Sequence, residues 1–393
     1  MQSSLEVSRD KCRRRNSALH GYGLAFTLAT ILTLSLAGCQ DKTVRLEGAG
    51  ASFPAPIYAR WKALYHRLNP HVRIDYRAIG SGGGIRAITA RSVDFGASDA
   101  LLRPIEAEAL PASLLAIPTI IGAVVLTYNL PGLSDTELVL SGDVIADIYL
   151  GRIRLWDDER IAALNPDVAL PTLPIRVAHR SDSSGTTYIF TDYLSEVSAT
   201  WREQVGRGKT VKWPTPDNWA GKGNDGVAHR ILLEAGGIGY VELKYARNAG
   251  LAYATLINRD GRAVRPSPET VQAAERMTAA APNNWIKPSI VNAPGETSYP
   301  IAAFTYLLVY EDLSHLGPHK AHALFDFLTW ILTDGQPEAQ KLHYAPLPEE
   351  VRKAALVRIK AMRLPELPKS YHASDKPEWE KVVDRMVEFW DLK

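Results

Sequence analysis

Residues 179–187 read His-Arg-Ser-Asp-Ser-Ser-Gly-Thr-Thr, a polar turn that follows a short strand-like segment, 175–179. The turn leads into a helix-like segment, 187–197, whose apolar residues recur at three- and four-residue spacing. Strand, turn and helix in this order form the repeating unit of α/β proteins. We therefore predict an α/β fold, with this turn at the carboxyl end of a strand.

Two earlier strings have the same design. Gly-Ala-Gly-Ala-Ser-Phe-Pro-Ala-Pro (48–56) enters a predicted helix at 54–68, and Gly-Ser-Gly-Gly-Gly (80–84) precedes a predicted helix at 85–90. The first turn of a helix has unpaired backbone N–H groups and partial positive charge, and it can hold an anion. Each string alone is better explained as a simple helix cap. The three strings together, with Arg180 in the third, predict one shared anion site.

A carboxylate accompanies these donors. The string Val-Asp-Phe-Gly-Ala-Ser-Asp (93–99) lies just beyond the second predicted helix. A carboxylate repels an anion unless the anion carries a proton to donate, as phosphate does and sulfate at neutral pH does not. An aspartate acceptor can therefore separate these two oxyanions, since the wrong one leaves unpaired oxygens that repel each other.

Composition excludes several classes of protein. The chain has 393 residues and a net charge of +2 from 45 basic and 43 acidic side chains. This near-neutral balance does not indicate a nucleic-acid-binding protein. A hydrophobic fraction of 46% excludes global disorder, and two cysteines exclude a disulfide framework. The length suggests two or three domains.

The N-terminal residues are typical of an export signal. A basic start (13–15) precedes an apolar run (24–37) that is too short to span a bilayer. The run ends in Leu-Ala-Gly-Cys (36–39), which resembles the lipobox of bacterial lipoproteins. We predict a signal peptide at 1–38, lipidation at Cys39 and a tether at 39–46. The alternative is a plain signal peptide with an accidental cysteine.

At the other end, residues 365–393 form a predicted C-terminal extension. Prolines give it a linker-like start, and an amphipathic helix follows. This helix would either pack on its own domain or dock a partner.

Signals for cofactors and metals are weak. Gly-Lys-Gly-Asn-Asp-Gly (221–226) matches a dinucleotide pattern but follows no predicted strand. His315, His319 and His322 have metal-like spacing, but Gly-Pro (317–318) breaks any helix between the first two. We predict no cofactor and no metal.

The chain closely resembles the periplasmic phosphate-binding proteins of the high-affinity phosphate ABC transporter. Further matching strings, in order from about residue 47 to 350, are DIYLGRIRLWDD (147–158), TVKWP (210–214), GKGNDGV (221–227) and GIGYVE (237–242). The resemblance implies a two-lobed periplasmic-binding-protein fold of type II, whose hinge the chain crosses twice. We expect lobe I at 44–121 and 299–364, and lobe II at 122–298.

The resemblance also implies the phosphate ligands. They are expected to be Ser52, Phe53, Ser81, Asp99, Arg180, Ser184, Gly185 and Thr186. Asp99 would accept the phosphate proton, and Asp182 would hold the Arg180 guanidinium. Gly82 stands where the family often has serine, and Ser183 where it often has glycine.

The expected function is capture of inorganic phosphate in the periplasm or at the cell surface and its delivery to membrane permease subunits. The protein would be held at the membrane by its N-terminal lipid, would not be an enzyme and would bind no nucleic acid. Two alternatives stay open: a phosphatase on the same fold, with Ser184 as nucleophile, and a membrane-tethered interaction protein that uses the C-terminal helix.

Overall fold

The computed structural model describes residues 43–133, 138–216, 218–278 and 289–367. The signal peptide, Cys39 and most of the C-terminal extension lie outside these residues. The strands are β1 Val44–Gly50, β2 Val72–Ala78, β3 Phe95–Ser98, β4 Leu114–Tyr128, β5 Val139–Leu140, β6 Arg176–Arg180, β7 Trp219–Gly221, β8 Gly237–Glu242, β9 Ala252–Tyr253, β10 Thr255–Ile257, β11 Ala263–Val264 and β12 Ala302–Tyr310. The helices are α1 Ala55–Leu68, α2 Ser81–Thr89, α3 Pro104–Glu108, α4 Gly142–Tyr149, α5 Glu159–Leu164, α6 Gly185–Val197, α7 Ala199–Gln204, α8 Gly223–Leu233, α9 Leu243–Asn248, α10 Pro268–Arg276, α11 Pro318–Leu332, α12 Pro337–Lys341 and α13 Glu349–Lys360.

One long strand, β4, connects two groups of strands. The main sheet runs β2-β1-β3-β12-β4-β8-β6-β7, and β9 also pairs with β4. The first part of β4, as far as Ala123, pairs antiparallel with β12, and the last part, from Val124, pairs antiparallel with β8. We call the part of the structure around β1, β2, β3 and β12 the first lobe, and the part around β6, β7 and β8 the second lobe.

The chain passes between the lobes a second time just before β12. There the backbone N–H of Val124 donates to the carbonyl of Ile301 at 2.9 Å. The two connections therefore lie side by side, and both are buried: Val124 and Ile301 expose none of their surface. Two adjacent strands are a natural hinge, because small changes in a few backbone dihedrals can rotate one lobe against the other.

Aromatic packing forms a core on each side of this connection. In the first lobe the ring of Tyr65 on α1 meets the ring of Trp330 on α11 edge-on at 5.4 Å. In the second lobe Phe190 on α6 stacks on Tyr240 of β8 at 4.5 Å. Although β4 and β12 pair antiparallel with their neighbours, nearly all of their residues are buried on both faces, which explains their nearly continuous apolar runs.

The three polar turns all lie at the carboxyl ends of parallel strands. β1, β2 and β3 are mutually parallel neighbours in the first lobe, and β6 is parallel to β7 and β8 in the second. The turn after β1 leads to α1, the turn after β2 to α2 and the turn after β6 to α6. In open α/β sheets the ends of parallel strands are where ligands bind.

The start of α2 differs from the sequence-based expectation. The helix begins at Ser81, not at Ile85, and so contains the glycines that were expected to form the turn before it. The reason is close packing on the strands: a Cβ on Gly84 would lie 2.6 Å from the carbonyl oxygen of Ala97 and 2.6 Å from the Cα of Gly50. Only glycine allows this approach.

Candidate functional site

The residues predicted as anion ligands are all buried, and those from the two lobes meet. A Cβ built on Gly185 of the second lobe would lie 2.3 Å from Oγ of Ser81 and 2.4 Å from Oδ2 of Asp99, both in the first lobe. Ser52 contacts the second lobe through Asn224, whose Nδ2 donates to its Oγ at 2.9 Å. The site therefore lies between the lobes, at the strand ends that carry the polar turns.

Arg180 is the cationic group of the site. Its guanidinium is held by two hydrogen bonds to Asp182, from Nε to Oδ1 at 2.8 Å and from Nη2 to Oδ2 at 2.5 Å. Its Nη1 donates to Oγ1 of Thr186 at 3.2 Å. Burial raises the pKa of Asp182, but the hydrogen bond and charge of Arg180 outweigh burial and lower that pKa overall. The expectation that Asp182 holds the guanidinium is confirmed, and the bidentate contact fixes its plane.

Ser184 and the residues after it form the start of α6. The Ser184 hydroxyl oxygen accepts from the backbone N–H of Thr187 at 3.1 Å, which is an ordinary helix cap. That bond uses a lone pair and leaves the hydroxyl hydrogen available. Ser184, Gly185 and Thr186 thus offer donors at the positive end of a 13-residue helix.

Phe53 contributes its backbone to the first turn, because its side chain faces the core. The ring packs against Tyr344 with centroids 6.3 Å apart. The Phe53 carbonyl accepts from the Tyr344 hydroxyl at 2.8 Å, and the preceding carbonyl, of Ser52, accepts from the Tyr245 hydroxyl at 2.7 Å. The buried Tyr344 and the half-buried Tyr245 therefore hold the carbonyl side of this turn and leave its N–H side for a ligand.

Asp99 is the acceptor among these donors. It follows β3 and exposes 5% of its surface. Its Oδ1 accepts from the Thr305 hydroxyl at 2.7 Å, and its Oδ2 lies 3.3 Å from the Ser81 hydroxyl. Burial raises the pKa of Asp99 to about 7, against the lowering effect of the Thr305 bond, the Arg180 charge and the Ser81 bond. A carboxyl with this pKa can exchange a proton with a ligand near neutral pH.

Three polar residues near the site were missed by the sequence analysis. Thr305, on β12, orients Asp99; Asn224, at the start of α8, bonds to both Ser52 and Thr186; and Glu242, at the end of β8, donates its backbone N–H to Oδ1 of Asn224. The signal for the last two was present, because they lie in the GKGNDGV and GIGYVE strings. Those strings were used as marks of family resemblance and were given no role.

Glu242 is a second buried carboxyl close behind the site. It exposes none of its surface, and burial raises its pKa to about 8. Its Oε1 accepts from the backbone N–H of Lys244 at 3.0 Å, and its Oε2 lies 2.8 Å from the Tyr344 hydroxyl. That hydroxyl has one hydrogen and two acceptors at 2.8 Å, Oε2 and the Phe53 carbonyl, so a protonated Glu242 satisfies both bonds.

The arrangement does not activate Ser184 as a nucleophile. The nearest histidine in sequence, His179, has Nδ1 3.0 Å from the Arg180 carbonyl and Nε2 2.9 Å from Oδ1 of Asn218. Both ring nitrogens are thus engaged elsewhere. A serine nucleophile needs a base within hydrogen-bond reach.

Comparison with known proteins identifies the fold and the family. The family model of the PBP superfamily domain matches residues 37–335. The phosphate-binding protein PstS of Pasteurella multocida (strain Pm70) is 44% identical over 333 residues, which are 83% of this chain and 92% of that protein. The chain belongs to the PBP superfamily and, within it, to the PstS family.

Two solved structures support the same fold at lower identity. One is a putative phosphate ABC transporter substrate-binding protein from Clostridium perfringens with bound phosphate, with a TM-score of 0.57, 18% identity and coverage of 77% of this chain and 100% of that one. The other is PfluDING, a high affinity periplasmic phosphate-binding protein bound with phosphate, with a TM-score of 0.65, 20% identity and coverage of 82% and 100%. The predicted two-lobed periplasmic-binding-protein fold is confirmed.

Two departures from the pattern expected of the PstS family explain each other. A Cβ on Gly82 would lie 2.1 Å from Oγ of Ser183, and the Gly82 N–H donates to the Ser183 carbonyl at 2.9 Å. The two turns are so close that only one of these positions can carry a side chain. The serine at 183 therefore requires the glycine at 82.

Neither a metal cluster nor a membrane-spanning helix is found in the part of the chain that the structure describes. In those residues no group of three His, Cys, Asp or Glu side chains could hold a metal ion. His315 and His322 instead contact backbone carbonyls, of Asp312 at 3.1 Å and Pro365 at 3.1 Å. No described helix has the length and apolar character needed to cross a bilayer.

Proposed function

We propose that this protein binds inorganic phosphate outside the cytoplasm and delivers it to the membrane permease of an ABC importer. The observation that carries the proposal is one buried carboxyl, Asp99, in a site otherwise built of an arginine, hydroxyl groups and helix N-termini. Donors alone would suit any oxyanion. The acceptor selects an anion that still carries a proton, which is the chemistry of phosphate.

The proposed ligands act from both lobes. Backbone and hydroxyl donors come from Ser52, Phe53 and Ser81 on one side of the cleft and from Ser184, Gly185 and Thr186 on the other. Arg180 adds a charge-assisted pair, and Asp99 accepts the phosphate proton. All eight positions are buried, and hydrogen bonds to a charged ligand are strengthened where water is excluded.

The proposed division into two lobes fits this role. Lobe I at 44–121 and 299–364 and lobe II at 122–298 would close on phosphate about the two connections at β4 and before β12. A putative phosphate ABC transporter substrate-binding protein and a periplasmic phosphate-binding protein, both with bound phosphate, are among the structures that share the fold. A closed form of this kind is what permease subunits would recognise before they take the anion.

Export and anchoring complete the proposal. Residues 1–38 would be removed as a signal peptide, Cys39 would carry lipid, and the protein would stay at the membrane of a bacterium, in the periplasm or at the cell surface. The anchor would keep the receptor near its permease. Mass spectrometry of the N-terminal peptide from membranes tests this: a diacylglyceryl group on Cys39 is expected, and an unmodified chain that starts elsewhere contradicts it.

The phosphate proposal is tested by calorimetric titration of the purified protein after bound phosphate has been removed. Phosphate should bind tightly and sulfate should give no measurable heat. Asp99→Asn should weaken the phosphate-over-sulfate preference by at least about tenfold, since the acceptor becomes a donor. Asp94→Asn is the matched control, because Asp94 is equally buried but bonds to Lys320 and the Glu47 N–H instead. Absence of phosphate heat overturns the proposal.

A further inference from the structure

The side-chain amide of Asn224 connects two of the proposed phosphate ligands across the cleft. Its Nδ2 donates to Oγ of Ser52 at 2.9 Å and to Oγ1 of Thr186 at 3.2 Å. Its Oδ1 accepts the backbone N–H of Glu242 at 3.0 Å. This last bond settles the orientation of the amide, because a flipped amide would place an NH₂ group against an N–H. Asn224 exposes none of its surface, so water cannot replace these bonds.

The two hydroxyl oxygens have no lone pair left. Ser52 Oγ accepts from Nδ2 and also from the backbone N–H of Asn224, at 3.3 Å. Thr186 Oγ1 accepts from Nδ2 and also from Nη1 of Arg180, at 3.2 Å. A hydroxyl group has two acceptor lone pairs and one hydrogen. Each of these hydroxyls can therefore offer a further partner only its hydrogen.

We propose that Asn224 is a positioning residue that makes Ser52 and Thr186 obligatory donors to bound phosphate and so determines which phosphate oxygen carries the proton. The inference rests on the proposed function. A P–OH group opposite either hydroxyl would find no lone pair to accept it. The protonated oxygen is therefore excluded from Ser52 and Thr186 and directed toward Asp99, and bare oxygens face these two hydroxyls. Asn224 and Asp99 together recognise both kinds of phosphate oxygen.

A double-mutant cycle tests this role. Asn224→Ala is made in the wild-type protein and in a Ser52→Ala/Thr186→Val background, and phosphate affinity is measured by calorimetry. If Asn224 acts through the two hydroxyls, its loss should weaken binding about tenfold in the wild type and less than about twofold where the hydroxyls are already gone. A purely structural role would give equal losses in both backgrounds, and that result overturns the inference.

A second variant tests the direction of the hydrogen bonds. In Asn224→Asp a carboxylate replaces the NH₂ group, accepts the two hydroxyl hydrogens and turns them away from the anion. Phosphate affinity at pH 8 should fall by at least about a hundredfold, because two bonds to a charged ligand are lost. Affinity should partly recover as the pH falls, since a protonated carboxyl regains one donor. The wild-type profile, recorded alongside, accounts for Asp99, Asp182 and Glu242; no recovery overturns the inference.

Asn258→Ala is the matched control. Asn258 is a buried amide whose Nδ2 donates to backbone carbonyls of Gly295, Glu296 and Ser298, far along the chain from the site residues. Its loss should lower thermal stability and leave phosphate affinity within about twofold. If the wild type itself binds no phosphate, the proposed function fails. If the wild type binds and Asn224→Ala costs the same in both backgrounds, only the role of Asn224 fails.

Discussion

The two lobes meet at the floor of the cleft and at its rim, and the two contacts differ in chemistry. At the floor, Asn224 bonds to Ser52 and Glu242 lies 2.8 Å from the Tyr344 hydroxyl, all fully or almost fully buried. At the rim, Lys209 of the second lobe pairs with Glu106 on the short helix α3 of the first, at 2.7 Å, and the two side chains are only 7% and 15% exposed.

The hydrogen bonds at the floor and the ion pair at the rim have different roles. Hydrogen bonds between uncharged groups in a buried floor are strong, directional and insensitive to salt, and they can set the geometry of a ligand. In a largely buried ion pair the attraction between the charges is mostly offset by the loss of their hydration, so the net contribution of the pair to closure is small. We therefore expect changes at the floor to affect recognition and changes at the rim to affect closure only slightly.

The largest effect is expected for Gly185→Ala at the floor. The added methyl group would lie 2.3 Å from Ser81 Oγ and 2.6 Å from the Cβ of Asp99, and a Cβ so close to the backbone cannot move away easily. The lobes should fail to close, and phosphate affinity should fall by at least about a thousandfold, roughly 4 kcal/mol. Calorimetry measures the affinity. Gly317→Ala is the control, since nothing lies within 4 Å of its added methyl group, and near-normal binding by Gly185→Ala would contradict this account of the floor.

Glu242 should give the floor a dependence on pH. Its pKa is raised by burial to about 8 from an ordinary 4.5. A raised pKa means that the contribution to stability is fully present below about pH 4.5 and is lost as the pH rises through about 8. The variant Glu242→Gln keeps the shape of the side chain and a donor toward Tyr344. Between pH 4.5 and 8 it should reduce the slope of the unfolding free energy against pH by the equivalent of up to one bound proton.

Urea denaturation at several pH values measures this slope. Glu296→Gln is the control, because Glu296 is exposed and pairs with Arg262 at the surface. Asp99 also has a raised pKa, so the variant should keep part of the slope. Identical slopes for wild type and Glu242→Gln would show that Glu242 is charged in the folded protein.

The smallest effect is expected at the rim. Lys209→Met keeps the length of the side chain and removes its charge. Glu106 keeps the Arg103 side chain as a partner at 3.2 Å, and phosphate affinity should fall only about two- to fivefold. The loss should shrink only in part at about 0.5 M salt, because a largely buried pair is screened less than an exposed one. Lys341→Met, which removes the pair of an exposed lysine with Glu338, is the control. A loss of more than about tenfold would place Lys209 among the recognition groups.

The polar turns could be predicted because their information is local. Ser81, Ser184 and Thr186 each lie beside a glycine, and Ser52 lies two residues after Gly50. All four are just before or at a helix start, and that pattern already indicates anion binding. Asp99 could be predicted as an acceptor, because a carboxylate among anion-binding donors is useful only if the anion carries a proton to donate. The exact start of α2 could not, since it depends on how closely Gly84 approaches Gly50 and Ala97.

The residues that adjust the site come from distant parts of the chain. Thr305 is 206 positions from Asp99, and Asn224 is 172 positions from Ser52. No spacing in the sequence relates them, because Thr305 reaches Asp99 through the pairing of β12 with β3 in the first lobe, and Asn224, on α8 of the second lobe, meets Ser52 only between the lobes. The sequence shows the segments that contain Thr305 and Asn224, but it does not show which residues they bond to.

Local sequence thus predicted the α/β fold, the turns and the proposed donors and acceptor, since helix starts and glycine conformations depend on residues that are adjacent in the chain. Tertiary structure alone decided which lone pairs are filled, where each hydroxyl hydrogen points and how far burial raises the pKa values of Asp99 and Glu242. Hydrogen-bond direction and desolvation depend on every group packed around an atom, and those groups are brought together only by the fold.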